Sequence, residues 1–195
     1  GAFGLIYRAK GAAANAPKLN RRINNNTSLE LAGTQLAVGD VDGDGKADLV
    51  FQTQPMTPEY EYKPAQIKFV SDICTADAAR LTNATVIDTA ASADQNLLGS
   101  ALYLVDLDGK GTPEIVAVDN LYNDADSVVS PRGAIHFYRM TADGKFEPSR
   151  KPILGDKTEN SGASIESIAF ADIDGDGDLD LIVGEPMLQT SFKRE

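Results

Sequence analysis

The chain has 195 residues, of which 42% are apolar and 24% are charged, a composition typical of a globular domain rather than of a disordered segment. Its 29 acidic and 18 basic residues give a net charge of −11. Nucleic-acid phosphates and anionic membrane surfaces attract basic proteins, so this charge argues against both as partners. No apolar stretch is long enough to span a bilayer. We therefore expect no nucleic-acid partner and no membrane insertion.

The negative charge is concentrated in three nine-residue segments, which we call loops 1, 2 and 3. They cover residues 40–48, 106–114 and 172–180 and carry 12 acids and two lysines, so −10 of the net charge of −11 lies in them. The loops start at intervals of 66 residues. A fixed period of this length is the sequence signature of a repeat architecture.

Each loop is predicted to join two consecutive strands. Short apolar runs precede and follow every loop, as in Leu49-Val50-Phe51 after loop 1, and such runs bounded by Gly and Asp are typical of buried strands. Third strands are predicted at 3–8, 66–70 and 133–140, fourth strands near 19–23, 82–87 and 146–154, and a turn of helix at 76–81. Four strands in a 66-residue unit favour the blades of a β-propeller over helical solenoid repeats.

The sequence therefore predicts an all-β chain that forms about three four-stranded propeller blades. We expect a single partial propeller over residues 1–195, with a half blade at about 1–32, blades at 33–98 and 99–164, and a second half blade at 165–195. Propellers close with about four to eight blades, so three blades leave open edges. The favoured interpretation is a piece of a longer chain with a six- to eight-bladed ring. The alternative is a homo-oligomer in which the half blades of two copies pair to give six.

Loops 1 and 3 have the residue spacing of a cage for a hard cation. Acids at positions 1, 3, 5 and 9 supply carboxylates, and glycines at positions 4 and 6 allow the positive backbone angles that wrap a chain around an ion. Position 7 is expected to bind through its backbone carbonyl. The predicted calcium ligands are Asp40, Asp42, Asp44, Lys46 and Asp48 in loop 1, and Asp172, Asp174, Asp176, Asp178 and Asp180 in loop 3.

Loop 2 departs from this pattern at position 5, where Lys110 replaces an acid. An ammonium there can neutralise Asp106 and Asp108 and so take the place of an ion. We therefore expect Ca²⁺ in two loops, with loop 2, from Asp106 to Glu114, empty or weakly occupied. An EF-hand is excluded, because it requires a bidentate Glu at position 12, where all three loops have an apolar residue.

Residues 38–50 and 171–186 resemble the FG-GAP/VCBS repeat of integrin α-subunit propellers. The second of these stretches ends in Gly184-Glu185-Pro186, where the family often has Gly-Ala-Pro. The resemblance implies a β-propeller with structural calcium in the turn between the first two strands of a blade. The family includes adhesion receptors, lectins, secreted bacterial proteins and some polysaccharide lyases, so the motif does not identify the ligand.

The resemblance and the millimolar calcium outside cells imply a secreted or cell-surface protein. We expect a module for adhesion or for recognition of a protein or glycan ligand, without enzymatic activity. The alternative is a set of scaffold blades in a secreted enzyme such as a polysaccharide lyase. The single histidine, His136, and the single cysteine, Cys74, form no recognisable catalytic motif. Tyr60, Tyr62 and Tyr122, in connections between second and third strands, are candidate ligand-contacting aromatics.

Overall fold

The computed structural model describes residues 7–10, 18–22, 35–53, 63–76, 78–90, 101–119, 134–154 and 167–184. Apart from one short helix, all elements in these ranges are strands, which confirms the predicted all-β fold class. No helix in the described ranges is long and apolar enough to cross a membrane. The elements are β1 (Tyr7–Lys10), β2 (Lys18–Arg22), β3 (Leu36–Gly39), β4 (Asp48–Thr53), β5 (Gln66–Val70), α1 (Ala78–Thr82), β6 (Thr85–Thr89), β7 (Ala101–Val105), β8 (Glu114–Asp119), β9 (Ala134–Met140), β10 (Phe146–Pro148), β11 (Ile153–Leu154), β12 (Ser167–Ala171) and β13 (Asp180–Gly184).

Blade 1 is an antiparallel sheet in the order β3-β4-β5-β6. Loop 1 joins its first two strands, and its third strand has the predicted bounds. The fourth strand begins at Thr85 instead of residue 82, because helix α1 occupies 78–82. The segment leading into and through this helix buries Ile73, Ala76 and Leu81 against Leu49 of β4, and this contact fixes the helix on the sheet.

Blade 2 is an antiparallel sheet in the order β7-β8-β9-β10, with β11 also paired to β9. The single fourth strand predicted at 146–154 is therefore wrong in detail. Phe146 pairs with Met140 and Ile153 pairs with Ile135, and the strand is interrupted between Pro148 and Ile153. Ser149, at the start of the interruption, still donates its N–H to the Phe137 carbonyl of β9 at 3.0 Å. This interruption contains Pro152, which has no backbone N–H to donate to a ladder.

Two further sheets of two strands each complete the described structure. Strands β1 and β2 pair antiparallel, and so do β12 and β13, on either side of loop 3. We call the β12–β13 sheet blade 3. These sheets have the strand content predicted for half blades. The number of blades in the ring and the unit boundaries near residues 32, 98 and 164 stay predictions.

Blade 2 packs on a neighbouring blade with each of its faces. Successive residues of a strand point to opposite faces, and on β8 Ile115 and Ala117 pack toward blade 1, whereas Val116 and Val118 pack toward blade 3. Aromatic pairs reinforce both interfaces. Ring centroids are 5.0 Å apart in the Phe69–Phe146 pair with blade 1 and 5.5 Å apart in the Tyr103–Phe170 pair with blade 3.

A polar contact also links blades 1 and 2. Tyr138 of β9 donates a hydrogen bond from its hydroxyl to Asp88 Oδ2 of β6 at 2.5 Å. The His136 ring lies nearly parallel to that of Tyr138, with 6.4 Å between centroids. Burial lowers the pKa of His136, and the Asp88 carboxylate opposes the shift. This histidine therefore lies at the interface between two blades, where burial favours its neutral form.

The burial of Ile115 yields a test of the interface between blades. Ile115 is 0% exposed, whereas Ile153 on β11 is 44% exposed. We expect Ile115→Ala to lower the free energy of unfolding by roughly 2–4 kcal/mol, because it removes buried methyl groups and leaves a cavity. Ile153→Ala should change it by about 0.5 kcal/mol. Urea unfolding followed by circular dichroism measures both variants, and equal losses would show that Ile115 is not a core residue.

Candidate metal centres

The three loops share one backbone conformation. Glycines at positions 4 and 6 take a positive φ in each loop, which residues with a side chain rarely adopt. The φ angles are 76° and 82° at Gly43 and Gly45, 65° and 88° at Gly109 and Gly111, and 79° and 96° at Gly175 and Gly177. In each loop the backbone N–H of position 6 donates to the carboxylate at position 1. The N–O distances are 2.9 Å for Gly45 and Asp40, 2.8 Å for Gly111 and Asp106, and 3.1 Å for Gly177 and Asp172.

Asp48, at position 9 of loop 1, is fully buried at the start of β4. Its Oδ2 accepts hydrogen bonds from the backbone N–H groups of Val41 at 2.8 Å and Asp42 at 3.3 Å. Its Oδ1 accepts from the N–H of Asp72 at 2.8 Å. Three donors satisfy a carboxylate that would otherwise be costly to bury. Asp48 thereby connects loop 1 to the chain that follows β5.

Loop 1 brings three carboxylates close enough to hold one ion. Asp40, Asp42 and Asp48 each offer an oxygen, and these oxygens lie within 4.8 Å of one another. Asp40 Oδ1 is buried and has no hydrogen-bond partner. Partial burial raises the pKa of Asp42, and the nearby Asp48 carboxylate adds to the shift. A cation at this position would satisfy the Asp40 oxygen and offset the repulsion.

The other two predicted ligands of loop 1 pair with each other. The Lys46 ammonium contacts Asp44 Oδ2 at 2.8 Å, with both side chains exposed. This hydrogen bond lowers the pKa of Asp44. Asp44 is not one of the three clustered carboxylates, so its role as a ligand, and that of the Lys46 carbonyl, stay predictions.

Loop 3 forms a second cluster from a different subset of positions. Carboxylate oxygens of Asp172, Asp174 and Asp176 lie within 4.8 Å of one another, and all three residues are exposed. Asp176, at position 5, belongs to this cluster. The residue at position 7 is the exposed Asp178, so loop 3 has no lysine there to pair with Asp176 as Lys46 pairs with Asp44. Asp180, at position 9, accepts a hydrogen bond from the N–H of Ile173 at 2.8 Å, as Asp48 does from Val41.

Loop 2 places a basic side chain on two of its three acids. The Lys110 ammonium contacts Asp108 Oδ2 at 2.6 Å, and this hydrogen bond lowers the pKa of Asp108. Asp106 accepts backbone N–H groups instead, including that of Lys110 at 3.0 Å. The Glu114 side chain is only 7% exposed and accepts a hydrogen bond from Arg150 Nη2 at 2.7 Å.

Arg150 is the residue of this region that the sequence did not reveal. It lies in the interruption between β10 and β11, and its guanidinium sits 5.2 Å from the centre of the Phe137 ring. Arg150 and Glu114 are 36 residues apart, a spacing unrelated to the 66-residue repeat, so the repeat did not predict their contact. Within the described residues, the acids of loop 2 form no three-carboxylate cluster like those of loops 1 and 3.

The remaining candidate residues are distributed away from the loops. Cys74 is exposed, and His136 is half-buried between blades. The aromatic candidates Tyr60, Tyr62 and Tyr122 lie outside the described residues.

Comparison with known families agrees with this geometry. A model of the FG-GAP-like repeat matches residues 106–183, from the start of loop 2 into β13. A model of the FG-GAP repeat matches residues 32–51, which include loop 1. No curated protein matches the chain. The two matches and the antiparallel four-stranded blades show that this chain belongs to the FG-GAP repeat family.

Proposed function

We propose that this chain is a calcium-stabilised β-propeller module that recognises a protein or glycan ligand outside the cell. FG-GAP repeats are propeller blades, they occur in extracellular proteins and they often take part in ligand recognition. Calcium has a structural role in this proposal, and the chain itself catalyses no reaction. The buried, unpartnered Asp40 Oδ1 within the loop 1 carboxylate cluster carries the calcium assignment.

The ligand chemistry supports calcium over other metals. Calcium takes six to eight oxygen ligands and tolerates irregular geometry, whereas magnesium requires a tight octahedron and gives up its water reluctantly. Loops 1 and 3 offer carboxylates and backbone carbonyls from a tight turn, and no histidine or cysteine lies in either loop. Asp40, Asp42 and Asp48 would hold the ion in loop 1, and Asp172, Asp174 and Asp176 would hold it in loop 3.

An ion in loop 1 would stabilise more than the loop. Asp48 accepts hydrogen bonds both from the loop backbone and from the N–H of Asp72 beyond β5. A cation that neutralises the neighbouring carboxylates would therefore stabilise the relative positions of loop 1, β4 and the segment that follows β5. Val41, whose N–H donates to Asp48, is only 2% exposed and packs in the interface with blade 2. Calcium would therefore favour the packing of one blade on the next as well as the turn itself.

The first prediction of this proposal concerns stoichiometry. Calorimetric titration of the chelator-treated protein should give two calcium ions per chain. Asp40→Asn and Asp172→Asn each remove a charge at position 1 and should each reduce the number to one. Asp106→Asn changes the equivalent residue of loop 2 and is the matched control, which should retain two. Three tight, equivalent sites, or an unchanged titration of Asp40→Asn, would contradict the assignment.

A second prediction concerns stability. Each ion that binds only the folded state should stabilise it by about 2.7 kcal/mol at a calcium concentration one hundred times its Kd. Scanning calorimetry should therefore show a lower melting temperature in EGTA than in calcium, with magnesium restoring little of the difference. A melting temperature that EGTA leaves unmoved would end the calcium proposal.

The third prediction concerns recognition. We expect the protein to bind a defined glycan or an extracellular protein on arrays probed at saturating calcium. The double variant Asp40→Asn/Asp172→Asn should bind more weakly, because displaced blades no longer align the loops that contact the ligand. Absence of binding on both array types would refute the recognition role while leaving the calcium measurements intact.

A further inference from the structure

An exposed asparagine follows the short helix of blade 1 and begins a glycosylation motif. Residues 83–85 are Asn-Ala-Thr, which fits the acceptor pattern Asn-x-Ser/Thr with a middle residue other than proline. The motif covers the turn between α1 and β6 and the first residue of β6. Two overlapping copies of the pattern occur at residues 25–28, outside the described residues. The structure therefore shows the surroundings of the acceptor at Asn83.

Burial around this motif separates the residues that fix the turn from those that face solvent. Leu81 is 3% exposed in the apolar cluster beneath α1, and Ala84 packs against the same cluster. Asn83 and Thr85, the two residues that define the pattern, are both exposed. The N–H of Asn83 donates to the Ala79 carbonyl at 2.9 Å, so its backbone belongs to an ordered turn at the end of α1. The turn thus holds the acceptor at the surface.

Both side chains of the pattern are available to an external partner. Among the described residues, the Asn83 carboxamide and the Thr85 hydroxyl take part in no hydrogen bond. Asn83 also borders an open groove of about 320 Å³, which Ser71, Arg80 and Thr85 line with it. Space for a covalently attached sugar therefore adjoins the acceptor, as the bulk of a glycan requires.

The position of the motif in the sheet also accommodates a bulky group. Strand β6 is the last strand of blade 1 and, within the part of the chain that the structure describes, pairs with β5 alone. Neither Asn83 nor Thr85 belongs to the apolar cluster between blades 1 and 2. A glycan at the start of β6 would therefore separate neither paired strands nor packed blades.

We propose that Asn83 is an acceptor site for an N-linked glycan. The proposal rests on the extracellular location proposed above, because this modification marks secreted proteins. The donor is an oligosaccharide linked through a diphosphate to a lipid. The Asn83 side-chain nitrogen forms a bond to C1 of the first sugar, and the bond between C1 and the diphosphate oxygen breaks. The released lipid diphosphate takes the proton that the amide loses.

Mass spectrometry of the chain, secreted from eukaryotic cells behind a cleavable signal peptide, tests the proposal. Trypsin separates Asn83, in residues 81–110, from the other two motifs, in residues 23–46. The expected result is a glycan on peptide 81–110 that peptide:N-glycosidase F releases, leaving an aspartate in place of Asn83. Asn83→Gln and Thr85→Ala should each lose this glycan completely, whereas Thr85→Ser preserves the pattern and should keep it.

Thr89→Ala is the matched control. Thr89 is also an exposed threonine of β6, but it lies outside the motif, so its removal should leave the glycan in place. An unmodified 81–110 peptide in secreted wild-type protein would overturn the proposal, and so would a glycan that persists in Thr85→Ala. The calcium titration and the binding arrays test the proposed function independently of this result, so the two failures are distinguishable.

Discussion

The buried carboxylate of Asp48, at the start of β4, is the constraint on which loop 1 and the packing of blade 1 depend. Asp48 is fully buried and accepts three backbone N–H groups, two from loop 1 and one from Asp72 after β5. These hydrogen bonds fix the positions of loop 1, β4 and the segment after β5 relative to one another. They also put Val41 into the interface with the next blade, so the polar contacts of the loop and the apolar contacts between blades depend on each other.

Loop 2 also concentrates acidic side chains, but within the described residues they form no three-carboxylate cluster. Its position 9 is Glu114, and the guanidinium of Arg150 takes part in neutralising it, while Lys110 pairs with Asp108. Both basic groups are covalently part of the chain, so loop 2 keeps its charge balance whether or not calcium is present. The shared φ pattern of the glycines shows that the backbone tolerates either solution. Blade 2 lies between the two blades whose loops form carboxylate clusters, and two basic side chains, Lys110 and Arg150, balance the acids of its own loop.

Much of the fold could be predicted from the sequence because its signals are local and repeated. The period of 66 residues, the glycine positions and the apolar runs place loop 1 between β3 and β4 and give the bounds of β5 correctly. Other features depend on contacts between distant residues. Helix α1 forms where Leu81 can pack on β4, the fourth strand of blade 2 breaks near Pro152, and Arg150 meets Glu114 across the sheet. The carboxylates that converge also differ between loops of the same spacing: Asp44 pairs with Lys46 and lies outside the loop 1 cluster, whereas Asp176 lies within the loop 3 cluster.

Equivalent positions of the repeat have the same chemistry but different burial, and this difference arises from neighbours alone. Val116 and Ile182 are both β-branched residues of a second strand, yet one is completely buried and the other is 44% exposed. Neither residue determines its own burial, because in a stack of sheets each face is covered only by the next sheet. An apolar side chain at residue 182 therefore stabilises the fold as much as one at residue 116 only where another surface covers it. The equivalent residue of blade 2, Val116, is covered by the neighbouring blade 3. The repeat therefore indicates that the side of a neighbouring blade is the kind of surface that fits Ile182.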